Sequence, residues 1–131
     1  MAFDPEHRLV LGVVIGKRSG KHVLELLKGV AVQLDGRTPR LTTTDQFGPY
    51  RTTISLIWIQ PPRPPGGRPE KKPPRKRRKQ KTLNYATVDK RRENGRVVEV
   101  NGKVVFGTAR SVAKALEQSS CSSAINTSFV E

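Results

Sequence analysis

A single cysteine, Cys121, is all the thiol this 131-residue chain contains. One cysteine cannot form an internal disulfide or a cysteine-based zinc cluster, so a reducing, intracellular setting is the natural expectation. Histidine is nearly as scarce: His7 and His22 lie far apart, with no second histidine or cysteine near either, and read as surface side chains rather than metal ligands. Long hydrophobic runs are also missing. The longest, Leu9–Ile15, falls well short of the ~18–20 apolar residues of a membrane span. The opening Met-Ala-Phe-Asp-Pro-Glu-His-Arg is no basic leader, and no lipidation signal is visible. These absences predict a soluble chain with no targeting segment. No nucleophile–base constellation stands out, and Gly66-Gly67 lacks the strand, Lys-Ser/Thr and helix of a phosphate loop, which argues against an unrelated enzyme with a small-molecule substrate.

Negative charge is in short supply as well. Asp and Glu number 11 against 25 Lys and Arg, for a net charge of +14. Most of the excess lies in one stretch: Pro61 to Lys81 holds ten basic residues against Glu70, and no apolar residue except proline. Such a segment cannot bury enough surface to offset the entropy of ordering it, which predicts a disordered basic insertion at 61–81. It divides the chain into a first part at 1–60 and a second at 82–131. The charge calls for a polyanionic partner, and Arg75, Lys76, Arg77, Arg78 and Lys79 are the candidate nucleic-acid contacts. An anionic membrane surface is the rival partner, disfavoured because the basic residues are not interleaved with apolar ones at helical spacing. No aromatic residue occurs within the tract, so attraction to phosphates is implied and base stacking is not.

The flanking parts have the patterning of an α/β fold. Leu9–Ile15 is a β-branched aliphatic run that suits a strand covered on both faces. Val23, Leu24, Leu26, Leu27, Val30, Ala31 and Leu34 recur at helical spacing, predicting a helix over Lys21–Leu34 capped by Ser19. After a turn at 35–39, Leu41–Thr44 reads as a second strand of the same sheet, ending at Asp45. Tyr50–Ile59 suits helix or strand equally. Beyond the insertion, Asn101-Gly102 predicts a hairpin turn between arms at Arg96–Val100 and Lys103–Phe106, and Thr108 is placed to cap a helix through Val112, Ala113, Ala115 and Leu116.

Two segments carry more than composition: Thr42-Thr43-Thr44-Asp45-Gln46-Phe47-Gly48-Pro49-Tyr50 and Ile125-Asn126-Thr127-Ser128-Phe129-Val130-Glu131. The first puts a carboxylate at the carboxyl end of a strand, where open α/β sheets hold ligands. Together they resemble the DDE transposases of small bacterial insertion sequences, in which a TD-x-x-x-x-Y block carries the second catalytic carboxylate and an Asn-Thr-Ser-x-Val-Glu block the third. Ala2-Phe3-Asp4, Leu9–Ile15 and Lys17-Arg18-Ser19 are similar to the family's approach to the first block. The resemblance covers roughly residues 2 to 50 and 95 to 131. It implies a ribonuclease H-like fold, a mixed sheet flanked by helices, with carboxylates holding Mg²⁺ or Mn²⁺ for DNA cleavage and strand transfer. Asp45 and Glu131 would be two of the three catalytic, metal-binding carboxylates, and DNA the partner of a protein expected in the cytoplasm with the nucleoid. Two ions about 3.5–4 Å apart stabilise the attacking and leaving oxygens of such a reaction.

The departures are as informative as the matches. The family's first Asp lies on a strand two places before the segment that Leu9–Ile15 resembles, and nothing here occupies that position. Asp4 precedes Pro5 and reads as a turn residue, while Glu131 is the last residue. The expectation is a truncated catalytic core, inactive alone. The alternative is a small basic protein that binds nucleic acid non-specifically, in which Asp45 only satisfies turn amides.

Overall fold

A computed structural model describes residues 1–59, 83–125 and 127. The basic insertion, with its candidate contacts Arg75, Lys76, Arg77, Arg78 and Lys79, and the terminal Glu131 lie outside the described residues. The fold is mixed α/β. Strand β1 (Ala2–Asp4) pairs antiparallel with β2 (Leu9–Gly12), helix α1 (Gly20–Gln33) follows, and β3 (Thr42–Asp45) leads into α2 (Gly48–Ile54). A π-helical turn, Ser55–Ile59, extends α2, so the ambiguous stretch Tyr50–Ile59 is helical. Strands β4 (Tyr85–Glu93) and β5 (Arg96–Phe106) form a long hairpin, and α3 (Ala109–Glu117) closes the described order of elements.

The predicted helix is present. Ser19 caps it, its hydroxyl accepting from the His22 N–H, and Val23, Leu26, Leu27 and Val30 are buried. It ends where Asp35 and Gly36 turn left-handed and the Gly36 N–H reaches back to the Ala31 carbonyl at 3.0 Å. Asp4 does act in a turn: its carboxylate accepts from the Glu6 N–H at 3.0 Å and from the His7 ring at 2.7 Å. Partial burial pushes its pKa up, but the bonds from His7 and Glu6 outweigh that and leave it lowered. Thr108 caps α3 through a reciprocal pair of bonds with Ser111.

Two expectations are corrected. Leu9–Ile15 is a strand only as far as Gly12, and it belongs to a separate two-stranded sheet instead of lying beside β3. It is not covered on both faces, for Leu9, Val10, Val13 and Ile15 are all exposed, Ile15 at 93%. An aliphatic run reports strand propensity without reporting what covers it: here Gly12 sits close against Leu26 and Val30 of α1, while Leu9, Val10 and Val13 stay exposed. The hairpin turn is also elsewhere. Asn94-Gly95 makes it, both residues with positive φ as a two-residue type I′ turn requires, while Asn101-Gly102 lies inside the unbroken β5.

The second sheet has the order β3-β4-β5, with β4 parallel to β3 and antiparallel to β5. One face of it meets the helices in a core of Val23 and Leu27 from α1, Ile54 from α2, and Leu83 and Tyr85. Ile54 is fully inaccessible to solvent. Its truncation in Ile54→Ala should cost about 2–5 kcal/mol of folding free energy, through lost transfer energy and the cavity left behind. Urea unfolding followed by circular dichroism reads this directly; a loss below about 1 kcal/mol would mean that the helices do not pack on β4 as described.

Candidate functional site

Asp45 is the last residue of β3, at the strand's carboxyl end. What holds it there is the strand beside it. Thr42, Thr43, Thr44 and Asp45 pair in register with Tyr85, Ala86, Thr87 and Val88. Tyr85 is wholly buried, and its hydroxyl meets the Thr44 hydroxyl at 2.8 Å. Burial raises the phenol's pKa, against a smaller lowering by the Thr44 bond, and burial reinforced by the charge of Asp45 raises that of Tyr50. Both tyrosines are therefore neutral hydrogen-bonding groups and poor proton acceptors at ordinary pH.

The Asp45 carboxylate is half exposed and has two partners among the described residues. The Phe47 N–H donates to Oδ1 at 3.2 Å, closing the turn before α2. The Arg18 guanidinium binds Oδ2, and the same guanidinium lies 4.5 Å from the centre of the Phe47 ring. Arg18 is thus held between a charge and an aromatic face. Around this pair is an open hollow of about 410 Å³ lined by Arg18, Asp45, Gln46, Phe47, Val88, Asp89, Lys90, Arg92 and Thr127.

Thr127 connects the two motif blocks. It belongs to the segment Ile125–Glu131, yet it lines the same hollow as Asp45. The approach is made over Gly102 of β5, where a side chain would meet Ile125 at 3.1 Å. Gly102 pairs with Val88, and Val88 with Asp45, so the absence of a side chain at 102 leaves room for Ile125 beside the Asp45 register.

Arg18, Asp89, Lys90 and Arg92 were not among the residues that the sequence singles out for chemistry. Lys90-Arg91-Arg92 is a short basic run overshadowed by the far denser tract at 75–79, and Arg18 reaches Asp45 only through the fold. Asp45 and Asp89 bring hard carboxylate oxygens to the hollow, the donor type a divalent ion takes, and no group of three possible metal ligands occurs among the described residues. Comparison with known proteins returns no match, whether to a family model, a curated protein or a solved structure. No helix among the described residues is long and apolar enough to cross a membrane.

The Thr44–Tyr85 bond is testable as the clamp on the Asp45 strand. Thr44→Val leaves a buried phenol without its partner and should cost about 1–3 kcal/mol, whereas adding Tyr85→Phe removes the orphaned group and should recover most of the loss. Thermal melts of the two variants would show whether recovery occurs; a double variant worse than Thr44→Val alone would assign the phenol another partner.

Proposed function

We propose that this chain is a piece of the catalytic core of a DDE-type insertion-sequence transposase, of ribonuclease H-like fold, whose family chemistry is metal-dependent cleavage and joining of DNA. The observation that carries this reading is the meeting of two motif blocks far apart in sequence, Thr127 lining the hollow that holds Asp45. The order of elements agrees: a carboxylate at the end of a strand, a helix preceding it, and a mixed sheet with helices. Strands β1 and β3 are each hydrogen-bonded on one edge only among the described residues. One strand paired to both edges would close the two sheets into the single mixed sheet that the resemblance implies.

In this reading Asp45 and Glu131 are carboxylate ligands of Mg²⁺ or Mn²⁺, which supplies Lewis-acid stabilisation of the phosphodiester oxygens when bound. The chain's own contribution, among the described residues, is to position Asp45. Tyr85 and Thr44 hold the strand, the Phe47 N–H orients one carboxylate oxygen, and Arg18 occupies the other. Because no residue of this sequence matches the first Asp of the family's motif, the 131-residue chain should neither nick nor join linear DNA with Mg²⁺ or Mn²⁺. Mn²⁺ binding followed by water-proton relaxation should be weak and should fall further in both Asp45→Asn and Glu131→Gln. Binding indifferent to both changes would sink the transposase reading in favour of a small basic nucleic-acid-binding protein. Metal-dependent nicking that Asp45→Ala abolishes would show the site to be complete.

DNA binding itself should be independent of sequence and steeply salt-dependent. Each phosphate contact contributes roughly 0.7–0.9 to the slope of log affinity against log salt. Changing Arg75, Lys76, Arg77, Arg78 and Lys79 together to Ala should flatten that slope by several units, measured by fluorescence anisotropy on a labelled duplex. An unchanged slope would remove the tract from the contact surface.

A further inference from the structure

The β4–β5 hairpin outgrows the body that carries it. Every residue from Arg91 to Lys103 is exposed, so the outer part of this ribbon projects into solvent. Among the described residues β5 is hydrogen-bonded along one edge only, to β4, and its other edge presents unpaired backbone donors and acceptors. Such an edge is a template for a further strand. Bulges limit how much of it can pair. The ladder shifts register between Arg91 and Arg92 and again between Tyr85 and Ala86, which leaves Glu99–Val104 as the regular run of β5.

The charges on that run are self-complementary. Glu99 and Lys103 make no ion pair among the described residues: Arg91, across from Glu99, bonds Glu93 at 2.8 Å, and Thr87 stands across from Lys103. Two copies of the run laid antiparallel about a twofold axis through Asn101 set Glu99 of each copy opposite Lys103 of the other, two attractive pairs on one face. On the other face Val100 of each copy stands opposite Gly102 of the other. Val100 is half exposed, and beside Gly102 it would come against Ile125, which lies over that glycine and is itself only partly buried. A register displaced by one residue in either direction would set both charges opposite uncharged residues.

We infer that the free edge of β5 is a self-association surface, two copies of this chain pairing antiparallel through Glu99–Lys103 and joining their three-stranded sheets into one. A second copy is the occupant because the run complements itself in charge and in apolar pattern. A polyanion fits it poorly, since the one cation of the run is cancelled by its one carboxylate. Five residues a side is far fewer than the roughly 20–30 of a standard interface, which makes the dimer weak and concentration-dependent. Such pairing is independent of the transposase reading, and neither DNA nor metal enters its test.

A thiol at position 101 reads the register. The twofold axis brings residue 101 of the two copies opposite each other with Cα atoms roughly 4.5–5.5 Å apart, within disulfide reach. In a Cys121→Ser background, which removes the native thiol, the full chain carrying Asn101→Cys should form a disulfide-linked dimer under copper phenanthroline in air, seen on a non-reducing gel. Val97→Cys should not, because its two copies would stand about 26 Å apart along the strands. Sedimentation velocity over a range of concentrations reads the charges. Glu99→Lys and Lys103→Glu should each weaken dimerisation about tenfold, two attractive pairs becoming repulsive, and the double reversal should restore it. The single changes move net charge in opposite directions, so repulsion between two +14 chains cannot produce the same loss from both. Circular dichroism melts verify the fold of each variant. A chain that stays monomeric at every concentration, a cross-link at Val97 instead of Asn101, or a double reversal no better than the single ones would overturn the proposal.

Discussion

The position of Asp45 depends on a phenol buried beneath the helices. Tyr85 fills the core with Val23, Leu27, Ile54 and Leu83 while its hydroxyl reaches across to Thr44 on the neighbouring strand. The burial is worth roughly 1.5–3 kcal/mol for a side chain of this kind, and the directional bond fixes which residue of β3 lies beside which residue of β4. A slip by one residue would turn Asp45 to the opposite face. From the same strand the sheet extends in both directions, parallel to β3 and antiparallel to β5. Its inner residues, Tyr85, Ala86 and Val88, are buried, and its outer residues lie in the solvent-exposed ribbon. One strand thus provides both the core that anchors the carboxylate and the arm that projects from it.

The elements most legible in the sequence are those whose signal is local. Ser19 at the start of a three-and-four-spaced apolar pattern specifies α1, and Thr108 before Val112 specifies α3, because capping bonds and a buried stripe are both properties of a short stretch. The turn at Asp4 was readable for the same reason. Register and burial were not. Two Asn-Gly pairs compete for one hairpin, and what decides between them is the burial of Tyr85, Ala86 and Val88, which pins the first arm upstream of Asn94 and carries the second arm through Asn101-Gly102. That choice belongs to tertiary contacts, and no window around either pair contains it.

The candidate site divides the same way. Asp45 was identifiable as a strand-end carboxylate from the residues around it. Arg18, Lys90 and Arg92 were hidden because each reaches the hollow through a different physical route: Arg18 from the loop after β2, Lys90 and Arg92 by alternation along a strand whose existence the sequence pattern did not reveal. Gly102 was readable as a turn residue and serves instead as a gap that lets Ile125 approach the sheet. The meaning of a glycine followed from what packs against it, as it did at Gly12 beneath α1.

The Arg18–Asp45 pair shows how such a site can be ordered and still open to exchange. Both side chains are about half exposed, and an ion pair in that setting contributes only ~0.2–1 kcal/mol after desolvation and side-chain ordering are set against attraction. Stacking on Phe47 adds on the order of 0.5–1 kcal/mol and keeps the guanidinium in place if the carboxylate is taken by another cation. Arg18 therefore satisfies Asp45 at little energetic cost to whatever displaces it, while its stacking on Phe47 keeps it at the hollow. The same electrostatic weakness that makes this bridge a poor contributor to stability leaves the carboxylate free to change partner, and the rigidity of the site comes from elsewhere, from Tyr85 and the uncharged contacts of the core.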